Sequence, residues 1–112
     1  MVAKDNRYKR LEGLLYSYRE LPFKKRNLEL DLKLEEDSNK RAELERIETN
    51  IAKIDNMLDM IKLNSELDYL IVKLRYIDRL EWVEIEGQLY MNQDYLMKRR
   101  RKLFEEKLLS MI

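Results

Sequence analysis

Between Gln93 and Lys102 the chain reads QDYLMKRRRK, and Lys98 to Lys102 form an unbroken run of five basic residues. Ammonium and guanidinium groups in series bind anions, above all phosphate oxygens. Gln93, Asp94 and Met97 precede the run, and at helical spacing Gln93, Asp94, Met97, Lys98 and Arg101 fall towards one side. Glutamine and lysine hydrogen-bond base edges, and aspartate accepts from cytosine. Five successive helical residues turn through more than a full circle, so the run cannot face one surface. Lys98 and Arg101 are expected to point into a groove or toward one strand of it. Arg99, Arg100 and Lys102 are expected to reach phosphates or a neighbouring acidic helix.

Other chemistries find little material. The chain has no histidine and no cysteine. That removes the commonest general base, the commonest metal ligand, and all thiolate or disulfide chemistry. Glu35-Glu36 and Glu105-Glu106 are adjacent carboxylates, but only two glycines are present and no phosphate-cradling loop is written. Catalysis, a metal site and a cofactor are therefore not expected.

The elements that must position the basic run follow from composition and periodicity. In 112 residues, 40% are charged and the net charge is only +1, with two Gly and one Pro. Few turn-formers and many ionic side chains favour exposed helices over a many-stranded sheet. Charge is uneven along the chain. Residues 27–49 hold eight acids against four bases, and residues 92–112 hold six bases against three acids. An acidic middle and a basic end imply separate tasks. The longest apolar run, YLIV at Tyr69 to Val72, is far short of a membrane span, and no apolar leader stands at the N-terminus. A cytoplasmic protein with no membrane partner is expected.

Tyr8, Leu11, Leu15, Tyr18 and Leu21 mark one face of a first helix, which Pro22 ends or kinks. Pro22 also suits the opening of the next helix, through Phe23 to Glu36. A loop is expected near Asp37 to Asn39, whose residue types cap the helix that follows. That helix carries the clearest period in the chain: Leu44, Ile47, Ile51, Ile54, Leu58 and Ile61, with alternating steps of three and four. Such a coiled-coil seam buries itself against the first helix folded back, against a second copy, or against both. Ser65 opens a new register with Asp68 three residues on, and Leu67, Leu70, Ile71, Leu74 and Ile77 form its buried face. Two shorter helices follow. Trp82, Ile85 and Leu89 mark the first, Asn92 caps the second, and Leu96, Leu103, Phe104 and Leu108 give the second its apolar side. Tyr69, Tyr76 and Trp82 are expected to pack rather than to act.

Three closely spaced helices, the last two joined at Tyr90 to Asn92 and the last one basic, describe a helix-turn-helix. Ile85, Leu89, Met91 and Leu96 would be the small core that holds the pair.

The stretch LRYIDRLEWVEIEGQLYMNQDYLMKRRRKL, from Leu74 to Leu103, resembles region 4 of bacterial sigma factors. Arg75-Tyr76, Trp82, Glu84-Ile85 and Leu89 carry the resemblance. The whole order, a Leu/Tyr helix, a polar break, an Ile/Leu seam and then this module, is similar to phage-encoded transcriptional regulators of the RinA and ArpU type. The chain departs from the motif at Glu81, Glu86, Tyr90 and Asn92, where small or hydroxyl residues and glycine are usual. Glu86 would fall in the crease between the two helices unless it turns to solvent, with Gly87 beside it to supply a close approach.

The expected fold is therefore all-α. Residues 1–63 form a helical hairpin or coiled-coil arm, and residues 64–112 form a three-helix, sigma-region-4-like helix-turn-helix. The resemblance implies a sequence-specific transcriptional regulator of phage or prophage origin. It would bind double-stranded DNA, and its N-terminal helices would either join it into a homo-oligomer, a dimer, or contact RNA polymerase, with the Leu44–Ile61 seam packing within the chain or between chains. The alternative is a helical adaptor that binds RNA polymerase or phage packaging machinery, a small terminase subunit included.

Overall fold

The computed structural model describes residues 2–112, with side chains from Asn6 onward. It is all-α, with no strand among the described residues. Helix α1 spans Val2–Ser17, α2 Leu21–Leu34 and α3 Ser38–Asn64. Helix α4 (Glu66–Val72) runs on into a π-helical turn, Lys73–Ile77. Helices α5 (Trp82–Leu89) and α6 (Gln93–Leu103) follow. A π-helical turn at Phe104–Leu108 and a 3-10 turn at Leu109–Met111 prolong α6. No helix among the described residues is long and apolar enough to cross a membrane.

The boundaries have local causes. Pro22 sits in the first turn of α2, where its missing N–H interrupts no helical bond. Asp37 caps α3, its Oδ1 accepting from the N–H groups of Asn39 (2.9 Å) and Lys40 (3.1 Å). Ser65 stops α3 in extended backbone and starts α4 by accepting the Asp68 N–H at 3.2 Å. The Asp68 carboxylate does not return the bond, as a full capping box requires. It holds Arg99 instead.

Helix α3 is the spine. Leu44, Ile47, Ile54, Leu58 and Ile61 are buried along it, and Ile51 is half-buried. The stripe that reads as an oligomer or partner seam is thus covered by the chain itself. Leu11 and Leu15 of α1, Leu21 of α2, Val72 and Tyr76 of α4 and its π-helical extension, and Leu103, Phe104, Leu108 and Leu109 complete the core that Ile47, Ile54, Leu58 and Ile61 line. Each such side chain stabilises the fold by roughly 1.5–3 kcal/mol through removal from water. Aromatic rings fill its middle: Tyr76 lies 4.8 Å from Tyr16 and 5.7 Å from Phe104, and Phe104 lies 4.9 Å from Tyr8, centroid to centroid. The expected arm, residues 1–63, and the expected module, residues 64–112, therefore share one core. A second, smaller core of Ile71, Leu74, Ile85 and Leu96 lies within the module, with Leu89 and Met91 against it. The expected set of Ile85, Leu89, Met91 and Leu96 is found there together.

Tyr18, just past α1, donates its hydroxyl to the Asp55 carboxylate on α3. That bond first, and burial second, push the Tyr18 pKa up to about 12. The folded pKa thus lies above the unfolded value of about 10. The stabilisation is present in full below about pH 10 and is lost as pH rises towards about 12, because the unfolded chain ionises first. In urea unfolding at pH 9 and pH 11, the parent is expected to lose more stability between the two pH values than Tyr18→Phe does. Equal losses would show that the bond does not form.

Candidate nucleic-acid interface

The small core makes α4, α5 and α6 a stiff tri-helical platform. Ile85 on α5 and Leu96 on α6 are fully buried against Ile71 of α4 and Leu74 just beyond it. Arg75 clamps the α4–α5 connection. Its Nη1 donates to the Leu80 carbonyl at 3.0 Å, and its guanidinium lies 5.3 Å from the Trp82 ring centroid. Trp82 packs at the edge of this core. Within that connection Arg79 adopts the left-handed region, φ 60°, and donates to the Tyr16 carbonyl (2.7 Å) and Glu20 (2.5 Å). The strained residue is thereby tied to the end of α1.

The α5–α6 turn explains two departures from the sigma motif. Glu86 is neither an unpaired charge in the crease nor turned away to solvent. It accepts from the Gln93 backbone N–H at 3.2 Å and from Gln93 Nε2 at 3.3 Å. A carboxylate at the start of α6 complements the positive end of the helix dipole. Asn92 Oδ1 accepts the Asp94 N–H at 2.8 Å, a second cap on the same terminus. Gly87 is exposed, and an added Cβ there would meet nothing within 4 Å, so it supplies no close approach.

Tyr90 takes the left-handed turn position, φ 56°, where glycine is usual, and it is 92% exposed. A non-glycine residue there costs about 1 kcal/mol. Tyr90→Gly is therefore expected to raise the unfolding free energy by about 1 kcal/mol, measured by urea denaturation. No gain would mean that the exposed ring stabilises the turn by a comparable amount.

The basic run divides as helical geometry requires, and the division differs from the expected one. Arg100 turns inward with its side chain only 11% exposed. Its Nη1 donates to Tyr76 Oη at 3.0 Å and to Glu12 Oε2 at 3.3 Å, and Tyr76 Oη donates to the same Glu12 oxygen at 2.7 Å. The expected Arg100–phosphate contact is replaced by this interhelical bond, because position 100 falls on the side of α6 that faces the core. Burial first, with Glu12 adding to it and Arg100 opposing it, pushes the Tyr76 phenol well above its ordinary pKa. Arg99 is also engaged. Its Nε donates to Asp68 at 2.7 Å, and its Nη2 donates to Ser65 Oγ at 3.2 Å. The acidic partners are Glu12 of α1 and Asp68 of α4, not the acidic residues 27–49.

Lys98, Arg101 and Lys102 remain exposed on the outer side of α6 with no ion pair among the described residues, and Asp94 lies on the same side. Met97 is half-buried beside them. Gln93 is half-buried and held to Glu86, so it is not free to make both hydrogen bonds that glutamine offers adenine. An open groove runs beside this edge, between the α3–α4 junction and α6, lined among others by Asn64, Ser65, Tyr95, Lys98 and Lys102. Tyr95, half-exposed, lines this groove with Lys98 and Lys102, and Tyr90 stands exposed in the turn before α6; neither appears among the expected contacts. Tyrosine standing where the motif has glycine was the available signal for Tyr90. For Glu12, eighty-eight residues from Arg100, local spacing carried no signal.

Comparison of the chain with family models, with curated proteins and with solved structures gives no match.

Proposed function

We propose that the chain is a sequence-specific DNA-binding transcriptional regulator, of the phage or prophage kind its resemblance implies, which docks α6 in the major groove of double-stranded DNA. The observation that carries this reading is the uncompensated cationic edge of Lys98, Arg101 and Lys102 on the outer side of a helix held in a helix-turn-helix. Cations already paired within the fold would have to break those pairs before meeting phosphate; these three do not. Lys98 and Arg101 read base edges, Asp94 accepts from a cytosine amino group, and Lys102 meets phosphate. Arg99 and Arg100 orient α6 rather than touch DNA.

One observation favours a second reading, the helical adaptor that binds RNA polymerase or packaging machinery. Helix α5 carries Glu84 and Glu86, with Glu81 at its N-cap, and no cation. The first helix of a helix-turn-helix crosses the DNA backbone, where acids are repelled. Selection from a pool of random duplexes by the intact protein separates the readings. The DNA reading expects enrichment of a common sequence. A pool that emerges unenriched, from a protein that remains folded, would overturn it.

A further inference from the structure

Helix α2 is covered on one side only. Leu21, Lys25, Leu28 and Leu32 lie buried or half-buried on the side towards α3. On the opposite side Phe23 is 65% exposed, Leu30 52% and Leu34 90%, with exposed Asn27 between them. Phe23, Asn27, Leu30 and Leu34 are spaced by four, three and four residues. This is a second heptad seam, distinct from the one that α3 buries, and the fold leaves it on the outer surface.

We propose that this outer face of α2 is where two copies of the chain associate, side by side and parallel. Three features identify a second copy as the occupant. Asparagine at one core position of an otherwise apolar seam pairs with its own equivalent, which sets register and favours two strands. Arg26 and Asp31 occupy the flanking positions five residues apart, which face each other across a parallel pair. A two-fold axis therefore places Arg26 against the partner subunit's Asp31 and repeats the contact on the other side. An antiparallel pair would set Arg26 against a lysine, Lys33, keep only Asp31 against Lys24, and face Asn27 to Leu30 so that its amide loses its own equivalent as partner. Asp31 already accepts Lys40 at 3.4 Å within its own chain, so Arg26 would join an existing acid–base pair. The α3 seam, occupied within the chain, leaves α2 as the heptad face open to a partner.

The seam is short. Helix α2 has 14 residues, about 21 Å, so association should depend on concentration. Sedimentation equilibrium of the intact protein, without DNA, is expected to show a mass rising from 13.8 kDa towards twice that value as concentration increases. Leu30→Glu with Leu34→Glu should hold the mass at that of one chain with unchanged helical circular dichroism, because both residues are exposed. The chain has no cysteine, so Asn27→Cys reports geometry cleanly. A parallel seam brings the two introduced thiols together, and oxidation should link them, while Glu29→Cys, off the seam, should link far more slowly. A single-chain mass for the parent at every concentration would overturn the proposal. So would a dimer that survives the double substitution, or one whose Asn27→Cys chains link no faster than Glu29→Cys chains. The proposal stands apart from DNA binding, since each outcome is read with no nucleic acid present.

Discussion

Arg100→Leu is expected to lower the unfolding free energy by about 3 kcal/mol, the low end of the range for breaking a buried ion pair from one side. Arg100 joins α6 to α1 and α4 at once: its guanidinium hydrogen-bonds Tyr76 and Glu12, and it lies 5.1 Å from the Trp82 ring centroid and 5.6 Å from that of Tyr8. Removal leaves the Glu12 carboxylate with only the Tyr76 hydroxyl as donor. Glu12 is 26% exposed, and water screens part of the loss, which is why the low end applies. Leucine restores some of the packing that the arginine stem provides. The pairwise character is separately measurable. Glu12→Leu combined with Arg100→Leu should destabilise by about 1–2 kcal/mol less than the two single changes added together, because neither charge is then left alone. Urea unfolding followed by circular dichroism gives all four values. Strict additivity would show that the two side chains act independently, and α6 would then need another anchor.

Lys98→Glu with Arg101→Glu is expected to weaken duplex binding about 100-fold or more at roughly 0.1 M salt. Two charge-assisted contacts at about 1.5 kcal/mol each account for about 3 kcal/mol, or about 100-fold, and reversed charges add repulsion. The fold should barely respond. Both side chains are exposed and unpaired among the described residues, and such substitutions usually change stability by less than about 0.5 kcal/mol. Anisotropy titration of a labelled duplex, with a thermal melt of the same sample, separates lost binding from lost structure. A double variant that binds as tightly as the parent would refute docking through this face.

How much of this was legible in the sequence depended on the range of the interaction. Short-range signals read well. Asp37, Ser65 and Asn92 cap the helices that follow them because a side-chain oxygen reaches an N–H two or three residues on. The 3,4 alternation from Leu44 to Ile61 gave the buried stripe of α3, since only a helix places those positions together. Its partner was not legible: periodicity reports that a stripe is buried, not what buries it. The answer lay in α2 folded back along α3, with α1, α4 and the turns after α6 closing the rest of the core. The same limit governs the candidate site. That five cations could not share one face followed from 3.6 residues per turn. Arg99 and Arg100 turn inward because they lie three and four residues from the buried Leu96 and Leu103; what local spacing did not show was their partners, Asp68 and Glu12, remote in sequence. Glu86 was legible as a departure, but its role as a cap on Gln93 needed the angle between α5 and α6. Phe23, Asn27, Leu30 and Leu34 were obscured because Leu28 and Leu32 lie between them, so the helix reads as an alternation of leucines until one side is seen covered.

The salt dependence of duplex binding tests the central claim most directly. The dissociation constant of the intact protein for a duplex would be measured at several salt concentrations and plotted log against log. Lys102, the cation assigned to phosphate, predicts a slope of about 1 per chain, falling towards zero when it is replaced by glutamine. A slope near zero for the parent, or one that Lys102→Gln leaves unchanged, would contradict the account.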